Sequence, residues 1–213
     1  MAGGAITRMR VWGLAEQVRV AVAPAAALRP EQRRLTASEV EAMAGLRHVR
    51  ARRADWIRGR LLVRTLLPAS AGVVVAPGGA PRVVEGDHAV SISHEPGWIA
   101  AAVRPGVGAG LAIDLTLRRE RPRIASALCR LAIDSEVAPE EAWAALECAL
   151  KLTRAPFEAL LGGGLAVRAG LRTSRQRRDD GAGAVVHGLG APLPVWLLRG
   201  RGFVIACATG DDA

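Results

Sequence analysis

One stretch of the chain, residues 143–151, combines an aromatic side chain, a carboxylate and an ammonium at helical spacing. Trp143, Glu147 and Lys151 are four residues apart, so they would share one face of an α-helix. On an exposed face a Glu–Lys pair contributes only about 0.3–0.5 kcal/mol, but residues 142–152 are otherwise almost wholly apolar. A mostly buried helix that keeps an acid and a base on one stripe favours a functional site over a surface ion pair.

Lys151 is the only lysine among the 29 basic residues; all the others are arginine. The abundance of Ala, Gly, Arg and Val is typical of a GC-rich genome, in which lysine drifts toward arginine. Because burial can lower the pKa of an ammonium while a guanidinium stays protonated, the retained lysine indicates a chemical role. Chance retention is the alternative.

A second carboxylate lies within an apolar run. Asp114 follows Gly110-Leu111-Ala112-Ile113 and precedes Leu115, a pattern that predicts a buried strand. A buried carboxylate is costly unless it is paired, hydrogen-bonded or bound to a metal. The alternative is an aspartate at a strand end that reaches water.

Two further segments could bind phosphate. His94 ends the predicted strand Ser91-Ile92-Ser93-His94, and its imidazole could donate a hydrogen bond to a phosphate, although a lone histidine is more often structural. Residues 52–60 place several arginines on a predicted helix, where they could clamp a phosphate bidentately or form the solvated face of an amphipathic helix.

The predicted elements repeat one order, helix followed by strands, in each half of the chain. Thr36 and Glu39 predict a capping box at a helix that begins near residue 37, and further helices are predicted over 47–67, 124–131 and 139–154. Predicted strands cover residues 18–23, 73–75, 90–94, 98–103, 110–115, 165–171, 184–187, 195–198 and 203–208. This order predicts an α+β fold of two halves, residues 1–105 and 106–213, with the boundary near Pro105-Gly106.

Charge and composition narrow the classes of partner. The net charge of +9 favours an anionic partner: nucleic acid, a polyphosphate cofactor or an acidic protein. The arginines of residues 168–178 are expected to form a solvated hairpin loop. No aromatic residues are interleaved with them, and with two Phe and no Tyr in the chain we expect no nucleic-acid partner.

The same composition argues against a membrane protein and against a cysteine framework. No apolar run approaches the ~20 residues of a membrane helix, so no membrane partner is expected. The three cysteines are widely spaced without a CxxC pair, so we expect neither a disulfide framework nor a zinc knuckle. A reducing cytoplasm is the expected location.

Taken in order, these segments resemble the 4'-phosphopantetheinyl transferase family, in its larger, two-half, enterobactin/surfactin-synthetase-activating type. The family pattern is an arginine-bearing helix ending in Gly-Arg, a Gly-Lys-Pro turn, a Ser-His strand end, a Gly-Ile-Asp-Ile-Glu strand and a Trp-x-x-Lys-Glu-x-x-x-Lys helix. The corresponding segments here are residues 53–60, Gly79-Ala80-Pro81, Ser93-His94, residues 112–116 and residues 143–151. The resemblance covers about residues 50–155.

The resemblance implies two similar α+β halves related by pseudo-twofold symmetry, usually in a monomer. It implies Mg²⁺-dependent transfer of 4'-phosphopantetheine from coenzyme A, the co-substrate, to a serine of an acyl or peptidyl carrier protein, as in secondary metabolite biosynthesis. Asp114 and Glu147 would ligate Mg²⁺, and Glu147 and Lys151 would be catalytic. The residues implied to bind coenzyme A are Arg53, Arg60, Gly79, Pro81, Ser93, His94 and Lys151.

Three positions depart from the family pattern. Thr116 stands where many members have a second metal-ligating acid, and Ala80 and Leu146 replace two lysines. Two lost cations should weaken affinity for a polyanionic cofactor. A degenerate or repurposed relative, which binds a carrier protein or acyl-thioester without transferring phosphopantetheine, is therefore the alternative.

Overall fold

The alternation of apolar strands and amphipathic helices produces a mixed α+β structure in the computed structural model of the chain. The structure describes residues 9–14, 17–30, 35–44, 50–68, 71, 73–75, 81–84, 87–106, 110–131, 133–155, 172–178, 181–189 and 191–210. Two compact units divide the chain within one strand, residues 1–111 with 212–213, and residues 112–211. The predicted α+β class is confirmed at this level.

The N-terminal unit contains a four-stranded antiparallel sheet of order β1-β2-β6-β5, a short hairpin of β3 and β4, and two helices. Their bounds are β1 Arg10–Gly13, β2 Arg19–Pro24, α1 Ala37–Ala44, α2 Arg50–Leu66, β3 Val73–Val75, β4 Pro81–Val83, β5 His88–Glu95 and β6 Trp98–Pro105. The apolar face of α2 packs on the sheet, where Leu62 and Leu66 join a buried cluster with Ala101 and Val103.

The start of α1 has the capping box that its sequence predicts. The backbone N–H of Thr36 donates to Glu39 Oε2 at 2.8 Å, and the N–H of Glu39 donates to Thr36 Oγ1 at 3.3 Å. These reciprocal bonds satisfy N–H groups that the first helical turn leaves without intrahelical partners. Glu39 is fully buried and also pairs with Arg64 of α2, so the cap links the two helices.

Gly59, which precedes Arg60 in α2, lies close to a side chain of strand β5. A Cβ at this position would lie 2.9 Å from Cγ2 of Ile92 on β5, a distance that side-chain carbons do not tolerate. The helix can therefore approach the sheet this closely only without a side chain at residue 59. The glycine of this motif has a packing role.

The C-terminal unit contains a six-stranded sheet of order β7-β12-β11-β10-β9-β8 and two helices. Their bounds are β7 Gly110–Leu117, α3 Arg121–Arg130, β8 Asp134–Ser135, α4 Pro139–Thr153, β9 Arg172–Arg178, β10 Gly181–His187, β11 Leu193–Gly200 and β12 Phe203–Gly210. Helix α4 packs on β12, β11 and β10. Its buried face includes Leu146, Ala149 and Leu150, which lie in the largest apolar cluster of the unit.

The ends of α4 follow from its sequence. Pro139 occupies the first turn, where its missing N–H costs nothing, and Glu140 and Glu141 lie near the positive end of the helix dipole. The helix ends at Arg154, whose backbone is left-handed with φ 55° and ψ 21°.

One expectation about local structure is wrong. Residues 172–178, expected to lie in a solvated loop, form β9 and pair with β10 along seven residues and with β8 at the other edge. The arginine-rich composition concealed a strand that pairs with β10 along its whole length. The strand predicted over 165–171 lies outside the described residues. Across the described ranges, the structure contains no helix with the length and apolarity needed to cross a membrane.

Candidate active site

The C-terminal unit brings Asp114, Glu147 and Lys151 together. Asp114 lies in the middle of β7 with 2% of its surface exposed. Lys151, in the last turn of α4, donates from Nζ to Asp114 Oδ1 at 2.6 Å and to the backbone carbonyl of Ile113 at 3.1 Å. The buried carboxylate is therefore paired, which removes most of the cost of its burial.

The environment of Lys151 keeps it protonated. Partial burial lowers the pKa of Lys151, but the charge of Asp114 and its hydrogen bond act in the opposite direction and leave the pKa above its usual value. The side chain as a whole is 41% exposed. Lys151 is thus a fixed positive charge that can reach a ligand, rather than a neutral amine.

Glu147 lies on the same face of α4, one turn before Lys151, and is coupled to Asp114. The pKa of Glu147 is raised to about 8, first by burial and then by the negative charge of Asp114 and a hydrogen bond with it, while Lys151 and a hydrogen bond from Trp143 act in the opposite direction. Two carboxylates that face each other cannot both stay ionised at low cost, so one tends to hold a proton. Glu147 is the carboxyl whose pKa is raised, so without a bound metal it holds a proton near neutral pH.

Thr116 occupies the next position on the same face of β7. Its buried hydroxyl donates to Asp114 Oδ2 at 3.3 Å. Residues 114 and 116 face the same way because side chains alternate along a strand. The hydroxyl orients the carboxylate, where an acid would have added a third negative charge. Leu146, by contrast, is 1% exposed and packs in the apolar cluster of the unit.

Two carboxylates are ligands of the kind that a hard divalent cation such as Mg²⁺ prefers. Mg²⁺ prefers oxygen ligands and is usually held by one or two carboxylates together with waters and substrate phosphates. Burial raises the pKa of Glu147 most, and repulsion from Asp114 adds to it; a divalent cation would offset that repulsion. No cluster of three or more His, Cys, Asp or Glu side chains with metal-binding geometry occurs in the described part of the chain. The donor set therefore fits a cation that shares its coordination sphere with a substrate.

A groove opens beside the pair at the end of α4. It has a volume of about 410 Å³ and is lined by Glu147, Leu150, Lys151, Arg154 and Ala155. An anionic ligand in this groove would lie beside both the ammonium of Lys151 and the guanidinium of Arg154. Arg154 was not among the site residues predicted from the sequence. The available signal was its spacing from Lys151, since residues three apart share a helix face.

Arg60, predicted to hold a coenzyme A phosphate, is 4% exposed in the N-terminal unit. Its guanidinium lies 3.8 Å from the centre of the Trp56 ring, a cation–π contact. Burial lowers the pKa of Arg60 to about 10, with a smaller contribution from Arg64 and an opposing one from Glu39. It remains a cation at neutral pH, and its role toward phosphate stays a prediction.

The remaining predicted residues of this unit are distributed over α2, β4 and β5. Arg53 is half-buried on α2, Ser93 is buried and His94 exposed at the end of β5, and Pro81 begins β4. Gly79 lies outside the described residues. The structure does not test the proposed contacts of these residues with coenzyme A.

A scan against protein-family models finds no matching family, and a search of curated proteins finds no match. The assignment of a function therefore depends on the motif order and on the geometry of Asp114, Glu147 and Lys151.

Proposed function

We propose that the chain is a 4'-phosphopantetheinyl transferase that uses Mg²⁺ to move phosphopantetheine from coenzyme A to a carrier-protein serine. The observation that supports this most is the pairing of Asp114 and Glu147, which lie far apart in the sequence, beside the ammonium of Lys151. The proposal includes a pseudo-twofold relation between the two α+β units, a monomeric state and a cytoplasmic location. An acidic carrier protein would also suit the net charge of +9.

In the proposed reaction, the hydroxyl oxygen of the carrier serine attacks the phosphorus that bears the pantetheine arm. A new O–P bond forms, the bond from this phosphorus to the bridging oxygen breaks, and 3',5'-ADP leaves with that oxygen. Glu147 accepts the serine proton directly or through water.

The other residues of the site would manage negative charge. Asp114 and Glu147 would hold Mg²⁺, which when bound offsets charge on the diphosphate as it breaks. Lys151 offsets the buried charge of Asp114 and presents its exposed ammonium to the phosphates. Arg53, Arg60, Ser93 and His94 of the N-terminal unit would contact coenzyme A.

The experiment that tests this function is intact-mass analysis of carrier proteins incubated with coenzyme A, Mg²⁺ and the chain. Fatty-acid, polyketide and peptide-synthetase carriers should be included, and at least one should gain the mass of a single phosphopantetheine. Glu147→Gln should slow the gain by about 100-fold or more, whereas Glu41→Gln, which changes an exposed carboxylate of α1, should not. No gain on any of the carriers would refute the proposal.

A second candidate is a degenerate relative that binds a carrier protein or acyl-thioester without transfer. The observation in its favour is Leu146, whose burial leaves no ammonium at a position where the family has lysine. This candidate predicts binding of coenzyme A or of the carrier in calorimetry together with no mass gain.

A further inference from the structure

Arg154 contributes a second cation to the groove at the end of α4. It lines the groove together with Glu147 and Lys151, three residues beyond Lys151 and on the same side of the helix end. Its side chain is exposed. The groove therefore presents a guanidinium next to the carboxylate pair.

Lys151 is paired with a carboxylate, whereas Arg154 has a charge that is available to a ligand. Lys151 is engaged by Asp114 at 2.6 Å, so part of its charge is already offset. Arg154 forms no ion pair with any residue in the described ranges. Of the two cations among the described residues that line the groove, Arg154 is the one whose charge is not offset by a described carboxylate.

The backbone at Arg154 is better suited to another residue. Its φ of 55° is the left-handed conformation that closes many helices, with its N–H directed to the carbonyls of Leu150 and Lys151. Glycine adopts this conformation without steric cost and is the usual residue at such a position. An arginine in this conformation destabilises the fold relative to glycine, so its side chain is expected to provide an interaction that glycine cannot. A favourable interaction with the helix dipole is one such benefit, and the experiment must separate it from ligand binding.

We infer that Arg154 binds a phosphate group of the coenzyme A co-substrate, through the bidentate geometry that guanidinium and phosphate share. This inference rests on the proposed function. The guanidinium of Arg154 would supply positive charge from a different position. The family carries that charge on two lysines, which are replaced here by Ala80 and Leu146. The contacted group is either the diphosphate or the 3'-phosphate, which have the same recognition chemistry.

The test uses Arg154→Gly and Arg154→Lys in the full chain, with Arg123→Ala as the matched control because Arg123 is an exposed arginine of α3. Calorimetric titration with coenzyme A and Mg²⁺ should give a Kd about 10-fold higher for Arg154→Gly and a smaller increase for Arg154→Lys, which keeps the charge but loses the fork. Thermal unfolding should show a Tm for Arg154→Gly at or above that of the wild type, because glycine relieves the left-handed backbone. Binding and stability thus change in opposite directions.

A parallel titration with dephospho-coenzyme A identifies the phosphate. If Arg154 contacts the 3'-phosphate, Arg154→Gly loses its defect with this ligand, and if it contacts the diphosphate, the defect persists. Equal Kd values for coenzyme A in wild type and Arg154→Gly would overturn the inference and leave the proposed function intact. So would a lower Tm without a change in Kd, which is the result a purely dipolar role predicts. Failure of the wild type to bind coenzyme A at all would reject the proposed function itself.

Discussion

Glu147→Gln should flatten the pH dependence of stability in the metal-free protein. The pKa of Glu147 is raised from 4.5 to about 8 by burial first, then by the charge of Asp114 and a hydrogen bond with it. The folded protein thus holds a proton that the unfolded chain has already lost. The resulting stabilisation is complete below the unfolded pKa of 4.5 and disappears as the pH rises through 8.

The size of the effect follows from that shift. One pH unit corresponds to about 1.4 kcal/mol when a single proton is bound by the folded state and not by the unfolded state. For a folded pKa near 8, the free energy of unfolding falls by at most about 2 kcal/mol between about pH 6.5 and about pH 8.5. Glu147 retains some exposure to solvent, which reduces the expected fall to about 1 kcal/mol.

The assay is urea unfolding followed by circular dichroism at several pH values across this range, with a chelator present. Cysteine also titrates: burial raises the pKa of Cys207 to about 12 and raises that of Cys148, while unfolded thiols ionise near about pH 8.5. This contribution has the same sign in both proteins, so the difference between wild type and Glu147→Gln isolates Glu147. Equal slopes in the two proteins would refute the raised pKa of Glu147.

Three further predictions concern the supports of the site and of the fold. Lys151→Met should lower the free energy of unfolding by about 1–2 kcal/mol, measured by denaturant titration. The loss is smaller than for a fully buried pair because the lysine is 41% exposed. Adding Asp114→Asn to this variant should recover most of the loss. Gly59→Ala should destabilise by about 1–3 kcal/mol through overpacking against Ile92, whereas a Cβ at Gly13 has open space, so Gly13→Ala should leave the unfolding midpoint almost unchanged. Thr36→Ala should cost about 0.5–2 kcal/mol by removing the N-cap of α1, and an unchanged Tm would contradict the importance of the capping box.

The sequence predicted the elements whose local signals are strong. Thr36 with Glu39 predicted the start of α1, and the helices predicted over 47–67 and 139–154 correspond to α2 and α4, because helix signals are encoded within a few residues. The strand of Arg172–Arg178 was missed since its arginines do not resemble a strand, and its pairing with β10 is a tertiary interaction. Local composition could not reveal it.

The candidate site was predictable only in part. The spacing of Trp143, Glu147 and Lys151 indicated a shared helix face, but the distance from Lys151 to Asp114 depends on how α4 packs against β7. Arg154 was missed because its spacing from Lys151 is a weak signal. Its position in the groove depends on a left-handed helix end, and an arginine does not predict such an end.

The most direct test of the account is calorimetric titration of Mg²⁺ into the chain in the presence of coenzyme A. We predict that the wild type and Glu41→Gln bind one ion per chain. Asp114→Asn and Glu147→Gln should each bind Mg²⁺ at least about 10-fold more weakly. Wild-type affinity in both of these variants would show that Asp114 and Glu147 do not hold the ion, and the account would be contradicted.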